Sequence, residues 1–404
     1  MMDLLAILLL FGVIFQSNRW IARRYGPSEA PWVRRSLDRL YVYHCIFTLL
    51  FPLLPGDAIG YWKFTFQQIV VHSDYMWDYF GTGTVFLLFL DFIPAKVLGL
   101  SFLTGNFLYG ALGFIGLRYL FLLYTKSLDV NVRILNVKVI PYIFYLPNVH
   151  FWSAGIGKDT LCFFGIACFL YALYFYKKRF LWLFISVALV YFVRPHIAIM
   201  MLAGAAAGVI FSRDMKPVYR FLFLGMLVAT ILLIYKQVAV FLKVDELNVA
   251  SFQYLTKDKA AVLNSAMTGS GVDMTSYPLP LRIFTYLYRP LFFDVHNVIT
   301  FVSSIENLAY LIITVQGIRS FRARDLKFLP MWLKAGFVIF LLCLIVFSNG
   351  LGNLGIIMRE KNMSMIYLIL VCVWWISRRK AESLGLIGPD GKRRTPVPLK
   401  QPPR

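Results

Sequence analysis

Apolar runs long enough to cross a lipid bilayer recur along this chain and limit what it can fold into. A bilayer core of ~30 Å takes about 20 helical residues, and fewer where flanking side chains reach the headgroups. We therefore predict an all-α, polytopic membrane protein with about ten to twelve transmembrane helices, some of them broken or re-entrant. The long runs lie at 2–16, 40–54, 105–124, 158–176, 221–242, 298–318, 331–349 and 363–376, and shorter ones at 84–98, 139–151, 181–193 and 197–212.

The composition supports a membrane protein and argues against several other classes. Hydrophobic residues make up 59% of the 404 residues and charged residues only 15%, which is more apolar surface than a soluble domain could bury. The sequence shows no metal-ligand cluster, no dinucleotide-binding glycine pattern and no phosphate-loop motif, so we expect neither a metal nor a cofactor. The cysteines lie within apolar runs and are typical of small core residues: Cys45, Cys162, Cys168, Cys343 and Cys372.

The net charge of +21 would suit a nucleic-acid partner, but the arrangement of the basic residues favours a membrane explanation. Lysine and arginine cluster in short segments between apolar runs, and such segments stay on the cytoplasmic side under the positive-inside rule. We therefore expect membrane lipids as partners and no nucleic acid. The basic segments are 17–39, 177–179, 213–220, 319–327 and the tail from Arg378. The outer side would then hold 55–82, 148–158, 194–196, 243–297 and 350–362.

The chain is predicted to form one transmembrane domain, 1–376, followed by a disordered basic cytoplasmic tail, 377–404. Within the domain, 243–297 is predicted to be one long outer loop, a length that is typical of lids and binding elements. A proline and a lysine interrupt the run 84–98, so we predict a re-entrant or interfacial segment there. The first apolar run lacks a basic leader and a cleavage site and is predicted to stay as a helix.

The first outer segment carries a carboxylate next to aromatic side chains. Asp57 follows a glycine at the mouth of the second helix, and Tyr61 and Trp62 come after it. A charge near a helix mouth is costly, so Asp57 is predicted to act as a catalytic base or to bind a cation. Tyr61 and Trp62 are predicted to stack on sugar rings, and Trp152 in the next outer segment is a third such candidate. The alternative is a turn aspartate beside an interfacial aromatic belt.

Two further outer segments carry cations that would suit an anionic ligand. Lys158 opens a predicted helix, where the helix dipole disfavours a cation, so its partner is either the adjacent Asp159 or a ligand phosphate. Arg194 and His196 lie between two runs that are short for a span, so their turn is predicted to lie in a recess. Arginine can clamp a phosphate with two parallel hydrogen bonds, and histidine can relay a proton. The alternative places Arg194 at the headgroups and bonds His196 to a carbonyl.

The segment 288–307 concentrates polar side chains at a membrane boundary. A proline follows Arg289 and favours an extended conformation for it, at a junction between a loop and a helix. Lipid tolerates polar groups poorly, so the segment is predicted to face a protein interior or a cavity. His296 and Glu306 are its catalytic candidates, whereas Asn297 has a stronger explanation as a helix cap.

Arg359 and Lys361 form a basic pair on the predicted outer side, against the positive-inside trend. An anionic substrate would explain this pair, and the alternative is a charge balance by Glu360. Together the outer cations suit a lipid-linked diphosphate, while a carboxylate or a histidine manages the proton of a hydroxyl group. The predicted pyrophosphate-binding residues are Lys158, Arg194, His196, Arg289, Arg359 and Lys361.

The outer motifs, taken together, resemble those of bacterial polysaccharide-biosynthesis membrane proteins. The resemblance rests on GDAxxYW from residue 56, FWSxxxxKD from 151, VRPH from 193, YRPxxxxxHN from 288, SxEN from 304 and NLGxxxREK from 353. The chain looks like an oligosaccharide repeat-unit polymerase of the Wzy and EpsG type. The architecture of these polymerases is similar to that of the O-antigen ligases and the C-type glycosyltransferases.

This resemblance implies a metal-independent glycosyltransferase that acts on the outer face of the bacterial inner membrane, in exopolysaccharide or O-antigen synthesis. Its substrate would be an undecaprenyl-diphosphate-linked oligosaccharide. Such polymerases bind the pyrophosphate with outer-loop arginines, which correspond here to Arg194, Arg289 and Arg359. O-antigen ligases also use a histidine, which His296 or His196 would match. Chain-length regulators or export proteins are the implied protein partners.

Two other functions stay open at the level of the sequence. A C-type glycosyltransferase would use a polyprenyl-phosphate sugar, with Asp57 as the base and the arginines in a secondary role. A transporter of lipid-linked glycans would not be an enzyme. It predicts two pseudo-symmetric halves with broken helices, and the sequence shows no such halves.

Overall fold

Helices make up nearly all of the regular structure of this protein. The computed structural model describes residues 1–54, 56–65, 73–212, 216–242, 277–350 and 353–388. In these ranges the strands are a single antiparallel pair of two residues each, β1 (Arg133–Ile134) and β2 (Val137–Lys138). The helices are α1 (Met2–Ala22), α2 (Ala30–Leu50), α3 (Ala58–Trp62), α4 (Thr84–Asp91), α5 (Phe102–Ser127), α6 (Val139–Tyr142), α7 (Pro147–Ser153), α8 (Lys158–Tyr174), α9 (Tyr176–Val193), α10 (Pro195–Ile210), α11 (Pro217–Leu242), α12 (Leu279–Tyr288), α13 (Val298–Ser320), α14 (Met331–Gly350), α15 (Leu354–Lys361) and α16 (Met365–Ser383).

Four helices of the described chain are long and apolar enough to cross a membrane, judged by length and composition. They are α1, α5, α13 and α14, and the pair α7–α8, which is bent by 110°, would make a fifth span. The predicted all-α, polytopic membrane protein with a broken span is therefore confirmed. The number of about ten to twelve crossings stays a prediction. Helix α10, for example, has 16 residues and falls short of the length required.

Polar side chains cap the first turns of three helices: α5, α13 and α15. Ser101 accepts a hydrogen bond from a backbone N–H of α5 at 3.2 Å. Asn297 caps α13 in the same way at 2.9 Å, as the capping explanation of this residue predicts. Asn353 caps α15 at 2.9 Å. Each acceptor satisfies a donor that the first turn of a helix leaves without an intrahelical partner.

The last helix, α16, lies in the interior of the packing. Every side chain from Met365 to Trp375 is buried. This stretch is apolar on all sides, and here neighbouring helices rather than lipid cover its faces. Helices α13 and α14 pack on α16, while α5 packs on α8 and α10 packs on α14.

Helix α5 approaches its neighbours closely through glycines. A Cβ atom on Gly113 would lie 1.9 Å from the carbonyl oxygen of Ser153, and one on Gly110 would lie 2.5 Å from Thr48 Oγ1. Small residues let membrane helices come this close to one another. Helix α5 thereby sets the position of the bend between α7 and α8, on which several candidate site residues lie.

Replacing Gly113 by alanine is expected to lower the free energy of unfolding by about 1–3 kcal/mol, because the new methyl group must displace a backbone carbonyl. Thermal unfolding of the purified protein in detergent measures the change. The matched control is Gly12→Ala in α1, where a Cβ atom meets nothing within 4 Å. Equal unfolding temperatures for the two variants would contradict the close approach of α5 and α7.

The structure differs from the predicted outer loop 243–297 in the last part of that segment. Residues 279–288 form α12, and Phe292–Asp294 forms a 3-10 turn, so the prediction of one continuous loop was wrong there. Prolines at the start of α12 fit the first turn of a helix, where a missing N–H costs nothing. Residues 243–276 lie outside the described residues.

The prediction of a disordered tail from residue 377 was wrong for residues 377–383, which belong to α16. Helix α16 continues to Ser383, and the Ser377 hydroxyl donates to the carbonyl of Val130 at 2.6 Å. Nη2 of Arg379 forms an ion pair with Oδ2 of Asp325 at 2.8 Å. These contacts hold the basic end of the helix against the rest of the fold. Residues 389–404 lie outside the described residues.

The run 84–98 folds as a short helix rather than a long one. Helix α4 ends at Asp91 and continues as a π-helical turn, Phe92–Val97. Its proline lies inside that turn, where the regular hydrogen-bond pattern of an α-helix is already interrupted. The re-entrant or interfacial position of this segment stays a prediction.

Candidate functional site

A chain of ion pairs joins three parts of the fold at the start of α8. Asp159, in the first turn of α8, accepts hydrogen bonds from Nη2 of Arg194 at 2.7 Å and from Nε of Arg359 at 2.5 Å. Arg194 lies between α9 and α10, and its Nη1 also bonds Oε2 of Glu360 at 2.5 Å. Arg359 and Glu360 belong to α15. Asp159 therefore brings together two of the arginines predicted to bind pyrophosphate.

The two arginines differ in how much of the guanidinium group remains accessible. The Arg194 side chain is 10% exposed, and both of its terminal nitrogens bond carboxylates. Its charge is thus balanced within the protein, as burial of a charge requires. The Arg359 side chain is 31% exposed and meets Asp159 through Nε. Arg359 is therefore better placed than Arg194 to contact a ligand.

A pocket of about 100 Å³ opens beside Arg359. This volume holds several water molecules, so the pocket suits a phosphate or part of one sugar ring rather than a whole oligosaccharide. Its lining includes Asp57, which is the predicted base, and two of the three residues predicted to stack on sugars, Tyr61 and Trp152. The lining residues are Phe51, Leu54, Gly56, Asp57, Ala58, Tyr61, Trp152, Gly155, Ile156, Gly157, Asp159, Thr160 and Arg359.

The pocket combines a carboxylate, a guanidinium group and aromatic surface. Asp57 is exposed, and its Oδ2 accepts a hydrogen bond from the Tyr61 hydroxyl at 3.4 Å. Burial raises the pKa of Tyr61 to about 12, with the charge of Asp57 adding to the shift and that of Arg359 opposing it. The phenol therefore stays protonated and donates at neutral pH. The guanidinium carbon of Arg359 lies 5.7 Å from the centroid of the Trp152 ring, within the range of a cation–π contact.

Two candidates next to this pocket have other contacts. Trp62 is 5% exposed, and its indole N–H donates to the carbonyl of Leu100 at 2.9 Å. Its ring packs against Gly105 in the core, so the prediction that it stacks on sugars was wrong. Nζ of Lys158 donates to the Thr84 hydroxyl at 2.8 Å and ties α8 to α4. Its role in binding pyrophosphate stays a prediction.

The segment around Arg289 forms a separate group of contacts. Arg289 is extended, as a residue before proline is predicted to be, and its Nε and Nη2 bond both carboxylate oxygens of Asp294 at 3.0 and 2.5 Å. Burial opposes ionisation of Asp294, but hydrogen bonds from Arg289 and from a backbone N–H outweigh it and lower its pKa. His296 is exposed, and its Nδ1 lies 2.9 Å from the carbonyl oxygen of Asp294. The pocket beside Arg359 is lined by neither Arg289 nor His296, so the structure does not join them to Asp57.

Glu306 and Lys361 lie in a buried polar group between α7, α13 and α15. Glu306 is 3% exposed, and its carboxylate accepts hydrogen bonds from the N–H of Asn148 at 2.7 Å and from the Tyr310 hydroxyl. Lys361 is 1% exposed, and its Nζ donates to Oδ1 of Asn307 at 2.6 Å. The prediction that Lys361 binds pyrophosphate was therefore wrong, because this side chain is enclosed by the protein and does not line the pocket. Glu306 holds the first turn of α7 in place and does not line the pocket that contains Asp57, and its predicted catalytic role stays a prediction.

Some buried polar contacts were not singled out in the sequence. The Nδ1 atoms of His44 and His150 lie 2.9 Å apart, although the two residues are separated by 106 positions. Asp91 accepts a hydrogen bond from the Tyr109 hydroxyl at 2.7 Å. A lone acidic residue in an apolar run is the signal that could have found Asp91, because such a residue needs a partner. His196 lies two residues after Arg194 and is half-buried at the start of α10, and its predicted role stays a prediction.

The chemistry that this arrangement permits is proton acceptance at Asp57 and phosphate binding at Arg359. Among the described residues, no group of three or more histidine, cysteine or acidic side chains is arranged to hold a metal ion. Comparisons of this chain with protein families, with curated proteins and with solved structures gave no match.

Proposed function

We propose that this chain is a membrane glycosyltransferase that acts on the outer face of a bacterial inner membrane. It transfers a sugar from a polyprenyl-linked phosphate or diphosphate to the hydroxyl group of an acceptor. The observation that carries the proposal is one pocket that contains Asp57, Arg359 and Trp152. The attacking hydroxyl needs a base, the leaving phosphate needs a cation, and the sugar ring is met by a flat aromatic face. Asp57 is the base, Arg359 is the cation, and Trp152 provides the aromatic face.

In the proposed step, the acceptor oxygen forms a bond to the anomeric carbon of the donor sugar. The bond between that carbon and the phosphate oxygen breaks, and the lipid phosphate or diphosphate leaves with the electron pair. Asp57 accepts the proton of the acceptor hydroxyl and later releases it to water. Arg359 stabilises the negative charge on the leaving phosphate, and the Tyr61 hydroxyl positions the Asp57 carboxylate.

Two versions of this reaction have separate support. The resemblance of the outer motifs supports polymerisation of undecaprenyl-diphosphate-linked repeat units in exopolysaccharide or O-antigen synthesis. Transfer of one sugar from a polyprenyl phosphate is favoured by the position of Asp57 in the pocket, because that reaction uses an acidic residue of the first outer segment as base. The contacts of Arg289 with Asp294 favour the second version, since they occupy one of the three arginines that the polymerase would use.

The test uses the full-length protein in proteoliposomes and lipid-linked glycans extracted from cells that lack this chain. A polymerase is expected to give a ladder of products that carry two or more repeat units on one lipid. Cells without it should accumulate single repeat units on the carrier. A transferase of single sugars is expected to add one residue, and only when a polyprenyl-phosphate sugar is supplied.

A transporter would give a different result in the same vesicles. It would move the labelled glycan from one leaflet to the other and leave the glycan size unchanged. Cells without the chain would then hold the lipid-linked glycan on the cytoplasmic side. Movement without any new glycosidic bond would overturn the enzymatic proposal.

A further inference from the structure

A second and larger pocket lies at the other end of α8, where two of the basic segments, 17–39 and 177–179, meet. It has a volume of about 570 Å³, which is in the range of small-molecule sites. It is formed by the last turns of α1, α5 and α8 and the start of α9. Asp159 and Tyr171 are twelve residues apart in α8, so this pocket is about 18 Å from the candidate active site along the helix.

The lining of this pocket is strongly cationic. Its charged side chains are all basic and no carboxylate lines it: Arg24, Arg118, Lys126, Lys178 and Arg179. Aromatic rings hold several of these cations. The guanidinium carbon of Arg24 lies 3.6 Å from the Trp20 ring, and Nζ of Lys126 lies 5.4 Å from the Tyr25 ring. Aromatic faces attract cations without neutralising them, so the pocket keeps its positive charge.

Arg118 points to an anionic ligand more directly than the exposed cations do. It belongs to α5, a helix apolar and long enough to span a membrane, and it is 6% exposed. Its Nη1 donates to the Ser17 hydroxyl at 2.6 Å and to Oδ1 of Asn18 at 3.1 Å, both neutral acceptors. Its Nε is buried and has no hydrogen-bond partner among the described residues. A buried arginine without a carboxylate is costly, and an anion in the pocket would remove that cost.

The sides of the pocket indicate that the anion belongs to a lipid. Trp20 and Trp182, two lining residues, are 54% and 48% exposed, as tryptophans at a membrane interface are. Next to them, α1 and α9 carry exposed apolar side chains such as Leu9, Val13 and Leu181. Basic pockets between membrane helices on the side of the basic loops bind the headgroups of anionic lipids. A free anion would need no such apolar flanks.

We propose that this pocket binds the phosphate group of an anionic lipid, with Arg118 at its base and Arg24 and Lys126 at its mouth. The lipid chains then lie against the exposed apolar sides of α1 and α9. The ligand chemistry is a phosphate on an apolar chain. That chemistry fits both a phospholipid of the bilayer and a polyprenyl phosphate. The site is distinct from the Asp57 pocket and does not rest on the proposed glycosyl transfer.

The experiment measures binding of lipids to the full-length protein in detergent, through the fluorescence of its tryptophans and by native mass spectrometry. The probes are phosphatidic acid, undecaprenyl phosphate, phosphatidylcholine and inorganic phosphate. The test variant is Arg24→Gln with Lys126→Gln, because both side chains are exposed and their loss leaves the core intact. The matched control is Arg322→Gln with Arg324→Gln. It removes the same charge from another basic segment, where these arginines contact Glu382.

Phosphatidic acid or undecaprenyl phosphate is expected to bind the wild-type protein and the control variant equally. Each basic residue near a lipid phosphate contributes about fivefold to binding, so the test variant should bind about 25-fold more weakly. The tighter of the two lipids identifies the source of the phosphate. Equal binding of phosphatidylcholine, or unchanged binding by the test variant, would overturn the proposal. Binding of inorganic phosphate as tight as that of either lipid would overturn the assignment to a lipid.

Discussion

Replacing Asp57 by asparagine is expected to slow sugar transfer about 100-fold or more, because a general base contributes about 10²–10⁴ to a rate. Asparagine has nearly the same size and can still accept the hydrogen bond of Tyr61. It cannot take up the proton of an acceptor hydroxyl. Asp57 is exposed and its side chain caps no helix, so the fold depends little on its charge. The initial rate of glycosidic-bond formation and the unfolding temperature are measured on the same preparation.

The control for this experiment is another exposed carboxylate of the predicted outer segment 55–82. Asp78 bonds Ser73 and lies outside the pocket lining, so Asp78→Asn is expected to transfer sugar at the wild-type rate. A wild-type rate in Asp57→Asn would show that Asp57 is not the base. It would also remove the C-type glycosyltransferase version of the proposal, which depends on this residue.

The membrane helices could be predicted from the sequence because a span is a local property. The runs 2–16, 105–124, 298–318 and 331–349 each fall within one of the helices that are long and apolar enough to cross a bilayer. What a helix packs against is not local. Nothing in the run 363–376 shows that its helix takes the interior position, because apolar residues suit both lipid and protein neighbours.

The candidate site could be predicted in part, for a similar reason. The charge pattern placed Asp57, Trp152 and Arg359 on one predicted face of the membrane, and the structure brings the three to one pocket. The pattern did not identify ion-pair partners. Asp159 was weighed as a partner of the adjacent Lys158, whereas its two partners, Arg194 and Arg359, lie 35 and 200 residues away. Such pairs depend on how the helices pack, which periodicity and composition do not describe.

The sequence also did not show which single side chains of the predicted outer segments are buried. Trp62 and Lys361 each occur in a motif beside a residue that lines the pocket, Tyr61 in the first case and Arg359 in the second. Gly105 leaves the space that Trp62 fills, and Asn307 provides the acceptor for Lys361. Both partners lie in other helices. A motif therefore located the site, but it did not separate the residues that line the pocket from those that support it.

Replacing Asp159 by asparagine is expected to lower the free energy of unfolding by about 3–5 kcal/mol, the cost of leaving a buried charge without its partner. Asp159 is 5% exposed on its side chain and is shared by Arg194 and Arg359. An amide oxygen can accept a hydrogen bond but carries no charge to balance two guanidinium groups. Arg194 keeps Glu360, whereas Arg359 keeps no carboxylate in this chain of ion pairs. Thermal unfolding in detergent measures the loss.

The matched control for Asp159 is an exposed ion pair of the same type. Asp74 bonds Lys96 at 2.8 Å, but its side chain is 92% exposed, so water replaces the partner and Asp74→Asn should unfold at the wild-type temperature. Adding Arg359→Gln to Asp159→Asn should restore part of the lost stability, because one of the opposing cations is then removed. If Asp159→Asn alone were as stable as the wild-type protein, the arginines would be solvated rather than held by Asp159. The pocket would then lack the fixed cation on which the proposed transfer of a phosphate-linked sugar depends.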